Sequence, residues 1–239
     1  MKTLYQRLQT ALQQEVVRHQ LTDRRVKISC RALSAREAIG TPEHDDYPII
    51  RGKELMVQAE FEGSCGQAFS DEFENMLYTI DDLLNIELSS NKIRASFIAS
   101  LNAVYRHLGL CEKTIHCKNA EPQECASRLH TIISAEQKVV LIGFQPRFFE
   151  ALAAHCQLRV IDLNPENIGK AIHSVTVEPE SMTDEAIAWC DLIFATGSTL
   201  VNGTITRFLT QQKPVIFYGT TISAAAKILH LDRYCECGH

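Results

Sequence analysis

The sequence lacks any apolar run long enough to cross a membrane. Its longest purely apolar stretches, such as Val139–Ile142, are a fraction of the ~20 residues that a spanning helix needs. The first residues, Met1–Arg7, place polar side chains where a signal peptide would carry its apolar core. We therefore expect a cytoplasmic protein that has no membrane partner.

The chain also lacks an excess of positive charge. Its 24 lysines and arginines are outnumbered by 29 aspartates and glutamates, for a net charge of -5. A general nucleic-acid binder needs a basic face that neutralises phosphates. Nucleic acid is therefore not an expected partner.

Motifs of two large enzyme classes are missing. The chain has no Gly-x-Ser-x-Gly elbow, which exposes the nucleophile of many hydrolases, and no Gly-x-x-x-x-Gly-Lys-Ser/Thr phosphate loop. Neither hydrolase nor nucleoside-triphosphatase chemistry has a motif here, so no reaction and no catalytic residue is assigned.

Nine cysteines are scattered through the chain, which is an odd number in a chain of 239 residues that is large enough to bury its own core. Without an export signal they are best interpreted as reduced thiols in a cytoplasm. They do not indicate a disulfide framework.

Short, dense apolar segments in the second half predict a parallel sheet. Strands that lack alternation are buried on both faces, and strands that alternate with helices make a parallel sheet with right-handed crossovers. The predicted strands are 138–143, 158–162, 191–195 and 214–218, with a further short one at 174–177; the predicted helices are 146–154, 181–189 and 202–209. The fold class is therefore α/β, with a Rossmann-like, mostly parallel sheet.

The first half has a different, α+β character. The predicted helices are 3–18, 70–86 and a long helix that Ser90 caps and Gly109 ends; the predicted strands are 25–33 and 55–61, with a polar loop at 40–48 between them. Because the segment 111–124 is polar and irregular, we place a domain boundary there. This predicts an α+β domain at 1–118 and a Rossmann-like domain at 119–239.

The loops that follow the predicted parallel strands are the candidate ligand site. All strands of such a sheet point the same way, so these loops share one rim, where ligands bind. The candidate residues are Gly143, Phe144, Pro146, Asp162, Asn164, Thr196, Gly197, Ser198, Thr199, Asn202, Gly203, Thr204, Gly219 and Thr220. Glycine, proline and asparagine also make ordinary turns and caps, so a purely structural interpretation stays open for each loop.

The third loop is the most informative of these. We expect Asn202 to be the N-cap of a helix whose first amides, from Gly203 to Ile205, are open to an anionic group. A capped helix after an ordinary turn is the equally weighted alternative.

The first loop disfavours classical NAD binding. The residues after Gly143 do not form a Gly-x-Gly-x-x-Gly fingerprint, whose glycines let a pyrophosphate touch the backbone. Asp162 does end the next strand, close to where a ribose-binding acid would fall. A nucleotide-like cofactor at this crevice, used by an enzyme of unknown reaction, therefore remains the alternative function.

The C-terminal tail suggests a transition metal. Cys235, Cys237 and His239 lie two residues apart, so an extended chain would project them to one side, as ligands for a soft metal. A closed zinc site needs four ligands, so the set is one short, and a final strand with small buried thiols is the alternative. A looser group comprises Cys111, His116, Cys117 and Cys125.

Four segments resemble one uncharacterised family. Leu192–Thr204 resembles its TGxTLVNGT signature, Gly143–Pro146 its Gly-aromatic-x-Pro turn, and Asp162–Pro165 its acid-x-x-Pro turn. Leu101–Val104 resembles the LNAV helix of its N-terminal partner domain. The C-terminal half of this family is labelled a heavy-metal chelation domain.

The resemblance implies an enolase-N-terminal-like domain followed by a Rossmann-like domain, with a cleft between them. It adds Asn102, on the facing helix, and Pro165 to the candidate cleft residues. The implied function is binding of a small anionic or metal-chelating ligand in that cleft, with heavy-metal handling as its purpose. A homodimer is expected only on the general frequency of such assemblies.

Overall fold

The computed structural model describes residues 2–21 and 28–239. Its α-helices are α1 (Lys2–Arg18), α2 (Ala35–Ile39), α3 (Pro48–Arg51), α4 (Ile80–Asn85), α5 (Asn91–His107), α6 (Glu121–Ser127), α7 (Pro146–His155), α8 (Thr183–Trp189), α9 (Thr199–Asn202), α10 (Ile205–Leu209) and α11 (Ser223–Leu229). Its strands are β1 (Ile28–Leu33), β2 (Leu55–Phe61), β3 (Ser64–Ser70), β4 (Met76–Tyr78), β5 (Lys138–Ile142), β6 (Gln157–Asp162), β7 (Ala171–Ile172), β8 (Val175–Pro179), β9 (Leu192–Thr196), β10 (Val215–Tyr218) and β11 (Asp232–Tyr234). The start of the strand expected at 25–33 lies outside the described residues. No described helix combines the length and apolarity that a membrane span requires.

The second half of the chain forms a seven-stranded sheet in the order β11-β10-β9-β5-β6-β8-β7. Neighbouring strands are parallel except for β7 and β8, which are antiparallel. The central strand β5 pairs Leu141 with Val160 on one side and Phe194 on the other, and all three side chains are buried. The predicted α/β class, with a mostly parallel sheet, is confirmed.

The order of these strands creates a crevice beside β5. From β5 the chain moves outward to β6 and β8, and then returns to β9 on the other side of β5. At such a switch point the loops that follow the two adjacent strands diverge, which leaves a space at the carboxyl end of the sheet.

The first half forms a four-stranded antiparallel sheet in the order β3-β2-β1-β4, against which α5 packs. Gly66 of β3 makes this contact close, since a Cβ there would lie 2.3 Å from the backbone nitrogen of Ala103. Ser90 caps α5 as predicted, because its hydroxyl accepts a hydrogen bond from the backbone N–H of Ile93.

Helix α5 joins the two sheets. It packs on β3 and on α9 and α11, and one continuous apolar core contains Val57 of the small sheet, Phe97 of α5 and Ile193 of the large sheet. The described parts of the two halves therefore share a core. The boundary expected at residue 118 falls in the irregular segment between α5 and α6 and stays a prediction.

The helix predicted over 70–86 is wrong in its first half. Ser70 ends β3, and Met76–Tyr78 instead pair with β1 as the edge strand β4. Thr79 then caps α4 through a reciprocal pair of hydrogen bonds with Asp82, so the helix starts at Ile80. A strand of three residues is too short for a recognisable apolar alternation.

The helix predicted over 202–209 is interrupted at Gly203. This residue adopts a left-handed conformation with φ of 83°, which ends α9 at Asn202 and lets α10 begin at Ile205. Glycine is the usual residue at such a helix end because it has no Cβ to clash. Asn202 therefore ends one short helix and does not cap a long one.

Candidate functional site

A cavity of about 560 Å³ lies between the small sheet and the carboxyl ends of the large sheet. Tyr47–Ile49 cover it from one side, and Phe69–Asp71 at the end of β3 form another wall. The loops after β5, β6, β9 and β10 supply much of the rim. Four loops that are far apart in the sequence thus meet at one space, as the parallel sheet requires.

Most of the predicted ligand residues lie on the wall of this cavity. They are Gly143, Phe144, Pro146, Asp162, Asn164, Thr196, Ser198, Thr199, Asn202, Thr204, Gly219 and Thr220. Pro165 also lies there, whereas Gly197 and Gly203 belong to the same loops without lining the cavity, and Asn102 lies away from it. Whether these side chains bind a ligand stays a prediction.

Asp162 joins the first two loops. One carboxylate oxygen accepts a hydrogen bond from the backbone N–H of Phe144 at 2.7 Å. The other oxygen, Oδ1, accepts a hydrogen bond from the backbone N–H of Asn164 at 2.8 Å. The same Oδ1 atom also accepts one from the side-chain amide of Asn167 at 3.1 Å. A carboxylate has about four acceptor positions, so these three bonds leave little capacity for a ribose.

Gly143 has a packing reason to be glycine. Its φ is 93°, and a Cβ there would lie 2.7 Å from the Cγ2 atom of Thr196. The hydroxyl of Tyr218 lies 3.0 Å from the carbonyl oxygen of Gly143 and donates towards it. Burial raises the pKa of Tyr218 well above its usual value, so the hydroxyl keeps its proton. The turn therefore needs glycine even without a bound phosphate.

Asn202 has a free donor at the cavity wall. Its side-chain oxygen accepts hydrogen bonds from the backbone N–H of Thr204 at 3.0 Å and from the Thr204 hydroxyl at 2.8 Å. Among the described residues, nothing accepts a hydrogen bond from its Nδ2 group. One of the amides expected to bind an anion is thus already occupied, while the Asn202 amide itself can donate to a ligand.

The Asn102 side chain connects the two sheets through hydrogen bonds. Its Nδ2 group lies within 3.0 Å of the carbonyl oxygen of Gln67 and 3.2 Å of the carbonyl oxygens of Thr220 and Thr221. Its Oδ1 atom accepts from the backbone N–H of Ala224 at 2.9 Å. Because the side chain is completely buried and fully engaged, it positions the loop after β10.

Glu54 is one of the cavity residues that sequence reasoning missed. It stands just before β2, and its side chain lies on the cavity wall, accessible to water in the cavity but surrounded by protein. Removal from bulk water, with smaller contributions from the negative charges of Asp162 and Asp71, raises its pKa to about 7. A single glutamate before a strand carries no sequence signal, so only the fold could reveal it.

The charges on the wall favour a cation over the expected anion. The acidic residues there are Glu54, Asp71, Asp162, Glu166 and Glu180, and the basic ones are Lys53 and Arg207. Arg207 is already paired with Glu180 at 2.6 Å and with Asp184 at 2.8 Å. An anionic ligand would therefore meet mostly negative charge.

The loop over the cavity is tied to the large sheet by a buried cation. Arg147 of α7 has a side chain only 3% exposed and pairs with Asp46 at 2.5 Å. Its guanidinium also lies 5.7 Å from the centre of the Tyr47 ring. The polar loop expected at 40–48 thus contributes an ordered wall, which its composition did not indicate.

Thiols form another part of the wall. His116, Cys117, Cys125 and Cys235 line the cavity, whereas Cys111, Cys237 and His239 do not. The His239 ring contacts the carboxylate of Glu121 at 3.0 Å. Within residues 2–21 and 28–239, no three His, Cys, Asp or Glu side chains already converge as a metal-binding group. The metal site expected at Cys235, Cys237 and His239 therefore stays a prediction.

One family model matches part of the second half of the chain. The family DUF364, described as "Putative heavy-metal chelation", matches residues 127–231. This segment spans β5 to α11 and all four rim loops. The family resemblance expected from the Leu192–Thr204 signature is confirmed. No curated protein matches this chain.

Two solved structures share the fold. One is a DUF364 protein of unknown function from Desulfitobacterium hafniense DCB-2, with a TM-score of 0.50 and 15% identity over 73% of this chain and 72% of that one. The other, a DUF364 protein of unknown function from Pyrococcus horikoshii, has a TM-score of 0.53 and 16% identity over 91% of this chain and 79% of that one. Identities this low support the fold and no function.

Proposed function

We propose that the cavity binds a small ligand with a positively charged or metal-bearing group. Residues 127–231, which match the DUF364 family, supply its four rim loops. The observation that supports this proposal is the position of Glu54. It lies on the same wall as Asp71 and Asp162, and the negative charges of both raise its pKa. A cation beside these carboxylates would relieve their repulsion and stabilise the ionised form of Glu54. The volume of about 560 Å³ suits a small organic molecule or metal complex.

The rest of the ligand would meet polar donors and aromatic rings. Asn202 offers its side-chain amide, and the Ser198 hydroxyl, which accepts from Thr196, keeps its own proton for donation. Phe69, Phe144 and Phe208 supply apolar surface on the same wall. Such a mixture of apolar surface and a few polar groups is typical of small-molecule sites.

The family description refers to heavy-metal chelation, and the wall carries both carboxylates and thiols. Carboxylates suit harder divalent ions, and thiolates suit soft ones. Bound here, a metal would supply a positive charge that holds an anionic or carbonyl group of the ligand. The carboxylates of Glu54 and Asp71 are the groups that would hold it from one side, because no three His, Cys, Asp or Glu side chains of the described residues form a metal-binding group.

A thermal-shift assay with Mn²⁺ and Co²⁺ tests this function. We expect both ions to raise the melting temperature of the wild-type protein and to lose most of that effect in Glu54→Gln. Glu60→Gln is the matched control, because Glu60 lies on β2, the strand that follows Glu54, with an exposed side chain away from the cavity. Equal stabilisation of the wild type and Glu54→Gln by both ions, or no stabilisation of the wild type, would overturn the proposal.

A nucleotide-like cofactor is the second candidate, and the strand order favours it. Numbered from β5 as the first strand, the six parallel strands follow the order 3-2-1-4-5-6 of Rossmann sheets, whose ligands bind at the switch point. The engaged carboxylate of Asp162 weighs against a ribose contact. Adding ADP, NAD and S-adenosylmethionine to the same assay separates the two candidates, and stabilisation by one of these without a metal would favour the cofactor.

The cellular location that we propose is the cytoplasm. All nine cysteines are free thiols, and a reducing compartment keeps thiols in that state. Detection of the protein in a cytoplasmic fraction rather than an exported one would test this.

A further inference from the structure

His116 lies on the cavity wall with one ring nitrogen unused. Its side chain is half-buried and lines the cavity. The Nδ1 atom lies 2.6 Å from the carbonyl oxygen of Cys117. A carbonyl oxygen can only accept, so Nδ1 carries the hydrogen of the neutral ring and Nε2 carries a lone pair. Among the residues that the structure describes, no group donates a hydrogen bond to Nε2.

The position and the charge state of the His116 ring are both fixed by its surroundings. The backbone N–H of His116 donates to the side-chain oxygen of Gln67 at 2.7 Å. The ring meets the ring of Phe69 edge to face, with 5.4 Å between the ring centres. Burial lowers the pKa of His116, so the ring stays neutral in neutral solution. His116 is therefore a positioned hydrogen-bond acceptor and not a further positive charge.

Two carboxylates lie at the same end of the small sheet as His116. Glu54 stands just before β2 and Asp71 just after β3, and the antiparallel pairing of these strands brings both to one end of the sheet. Asp71 lies near enough for its charge to raise the pKa of Glu54. Phe69, against which the His116 ring packs, is two residues before Asp71. Three hydrogen-bond acceptors thus lie together on the cavity wall.

This arrangement fits a cation that carries its own hydrogen atoms. A metal ion held by protein side chains takes about four ligands or more. Within residues 2–21 and 28–239, no three His, Cys, Asp or Glu side chains form such a group. An alkylammonium ion needs only one acceptor for each N–H bond. Its apolar part could lie on Phe144 and Phe208, which line the same cavity.

We propose that the cavity takes a small organic primary amine in its ammonium form, with one N–H group donating to Nε2 of His116 and the positive charge facing Glu54 and Asp71. This rests on the proposed function, for which it names the class of ligand. An acceptor on a neutral ring distinguishes a primary ammonium group, which has three N–H bonds, from a quaternary one, which has none. His116 would therefore decide which cations the cavity selects.

Calorimetric titration at pH 8 with three compounds of one carbon skeleton tests this class of ligand. Phenethylamine is a primary ammonium ion, its N-trimethyl derivative keeps the charge without an N–H group, and phenethyl alcohol has no charge. We expect the wild type to bind the primary amine about tenfold more tightly than the trimethyl compound, which is the effect of one hydrogen bond to a charged group. The alcohol should bind more weakly than the amine.

Variants of His116 show whether its ring causes this preference. His116→Asn removes the acceptor but keeps a donor near the position of Nδ1 for the Cys117 carbonyl, and the preference for the primary amine should disappear. His116→Gln, whose side-chain oxygen can reach the position of Nε2, should restore part of it. His130→Asn is the matched control, because His130 Nδ1 lies 2.7 Å from the carbonyl oxygen of Ser127, away from the cavity. It should keep the wild-type preference.

The outcomes separate the class of ligand from the proposed function. Equal affinity of the wild type for both ammonium compounds, or an unchanged preference in His116→Asn, would overturn the primary amine. Mn²⁺ binding that depends on Glu54, without binding of phenethylamine, would also overturn it but leave the proposed function intact. Binding of neither Mn²⁺ nor phenethylamine to the wild type would defeat both. If His116→Asn fails to fold, as judged by circular dichroism, the ratio of the two affinities in the wild type decides.

Discussion

Two asparagines of the candidate site have opposite surroundings. Asn102 is completely buried, and its side chain bonds only to backbone groups of β3 and of the segment from β10 to α11. Asn202 lies at the cavity wall with its side-chain oxygen bonded to Thr204, and none of the described residues accepts a hydrogen bond from its amide nitrogen. Both were candidates for ligand contact from the sequence.

The difference shows that the same residue type can either hold the backbone around a site or contact the ligand in it. An amide with all its hydrogen bonds made inside the protein fixes the backbone around a cavity. An amide with a free donor at the wall can exchange water for a ligand. Only burial and partners distinguish the two, and these depend on how α5 packs on both sheets.

The largest change in the free energy of unfolding should come from Asn102→Ala. The change leaves the backbone N–H of Ala224 and the carbonyl of Gln67 buried without a partner, and each such group costs about 1–3 kcal/mol. We expect a loss of about 3 kcal/mol in the free energy of unfolding, measured with urea. Asn202→Ala should lose less than about 1 kcal/mol, and equal losses in the two variants would contradict the assignment.

A somewhat smaller effect is expected from Gly143→Ala. The new methyl group meets Thr196, and the backbone has φ of 93°, so steric overlap and strain together should cost about 2 kcal/mol. Adding Thr196→Ser removes the Cγ2 atom and should recover part of the loss in a double-mutant cycle. Full additivity of the two changes would show that Gly143 is not kept for packing.

The smallest effect should come from Glu54→Gln, and it depends on pH. The pKa of Glu54 rises from 4.5 to about 7 on folding, so the folded protein holds its proton more tightly and loses stability as the pH rises through that interval. After allowance for the exposed side chain, Glu54→Gln should be about 1 kcal/mol more stable than the wild type at pH 8.5. The two proteins should match near pH 4.

Urea unfolding at a series of pH values measures this difference. Glu60→Gln, whose side chain is exposed away from the cavity, should show no such change between pH 4 and pH 8.5. A constant difference between Glu54→Gln and the wild type at all pH values would mean that the carboxyl group does not titrate as described.

The parallel sheet could be predicted because its signals are local. The central strands β5, β9 and β10 of the large sheet are short apolar runs, such as Lys138–Ile142, bounded by turn residues. Parallel direction alone then places the loops after these strands at one edge, so most of the cavity rim followed from the sequence. The helix split at Gly203 was missed because a glycine in a helical pattern can lie within the helix or end it, and only the structure shows its left-handed conformation.

The remainder of the cavity depends on contacts between distant segments. Glu54 reaches the wall at the start of β2, which pairs within the small sheet, and Tyr47 lies there next to the ion pair of Arg147 and Asp46. The edge strand Met76–Tyr78 exists through its pairing with β1. None of these partners has a pattern in its own segment, so periodicity could not indicate them.

The most direct test of the cavity as a cation site is calorimetric titration with Mn²⁺ at pH 6 and pH 8. With a pKa of about 7, Glu54 is mostly protonated at the lower pH and mostly ionised at the higher, so the affinity should rise about tenfold. Glu54→Gln should bind weakly and without that pH dependence, while Glu60→Gln should follow the wild type. Binding by Glu54→Gln that equals the wild type at both pH values would contradict the account.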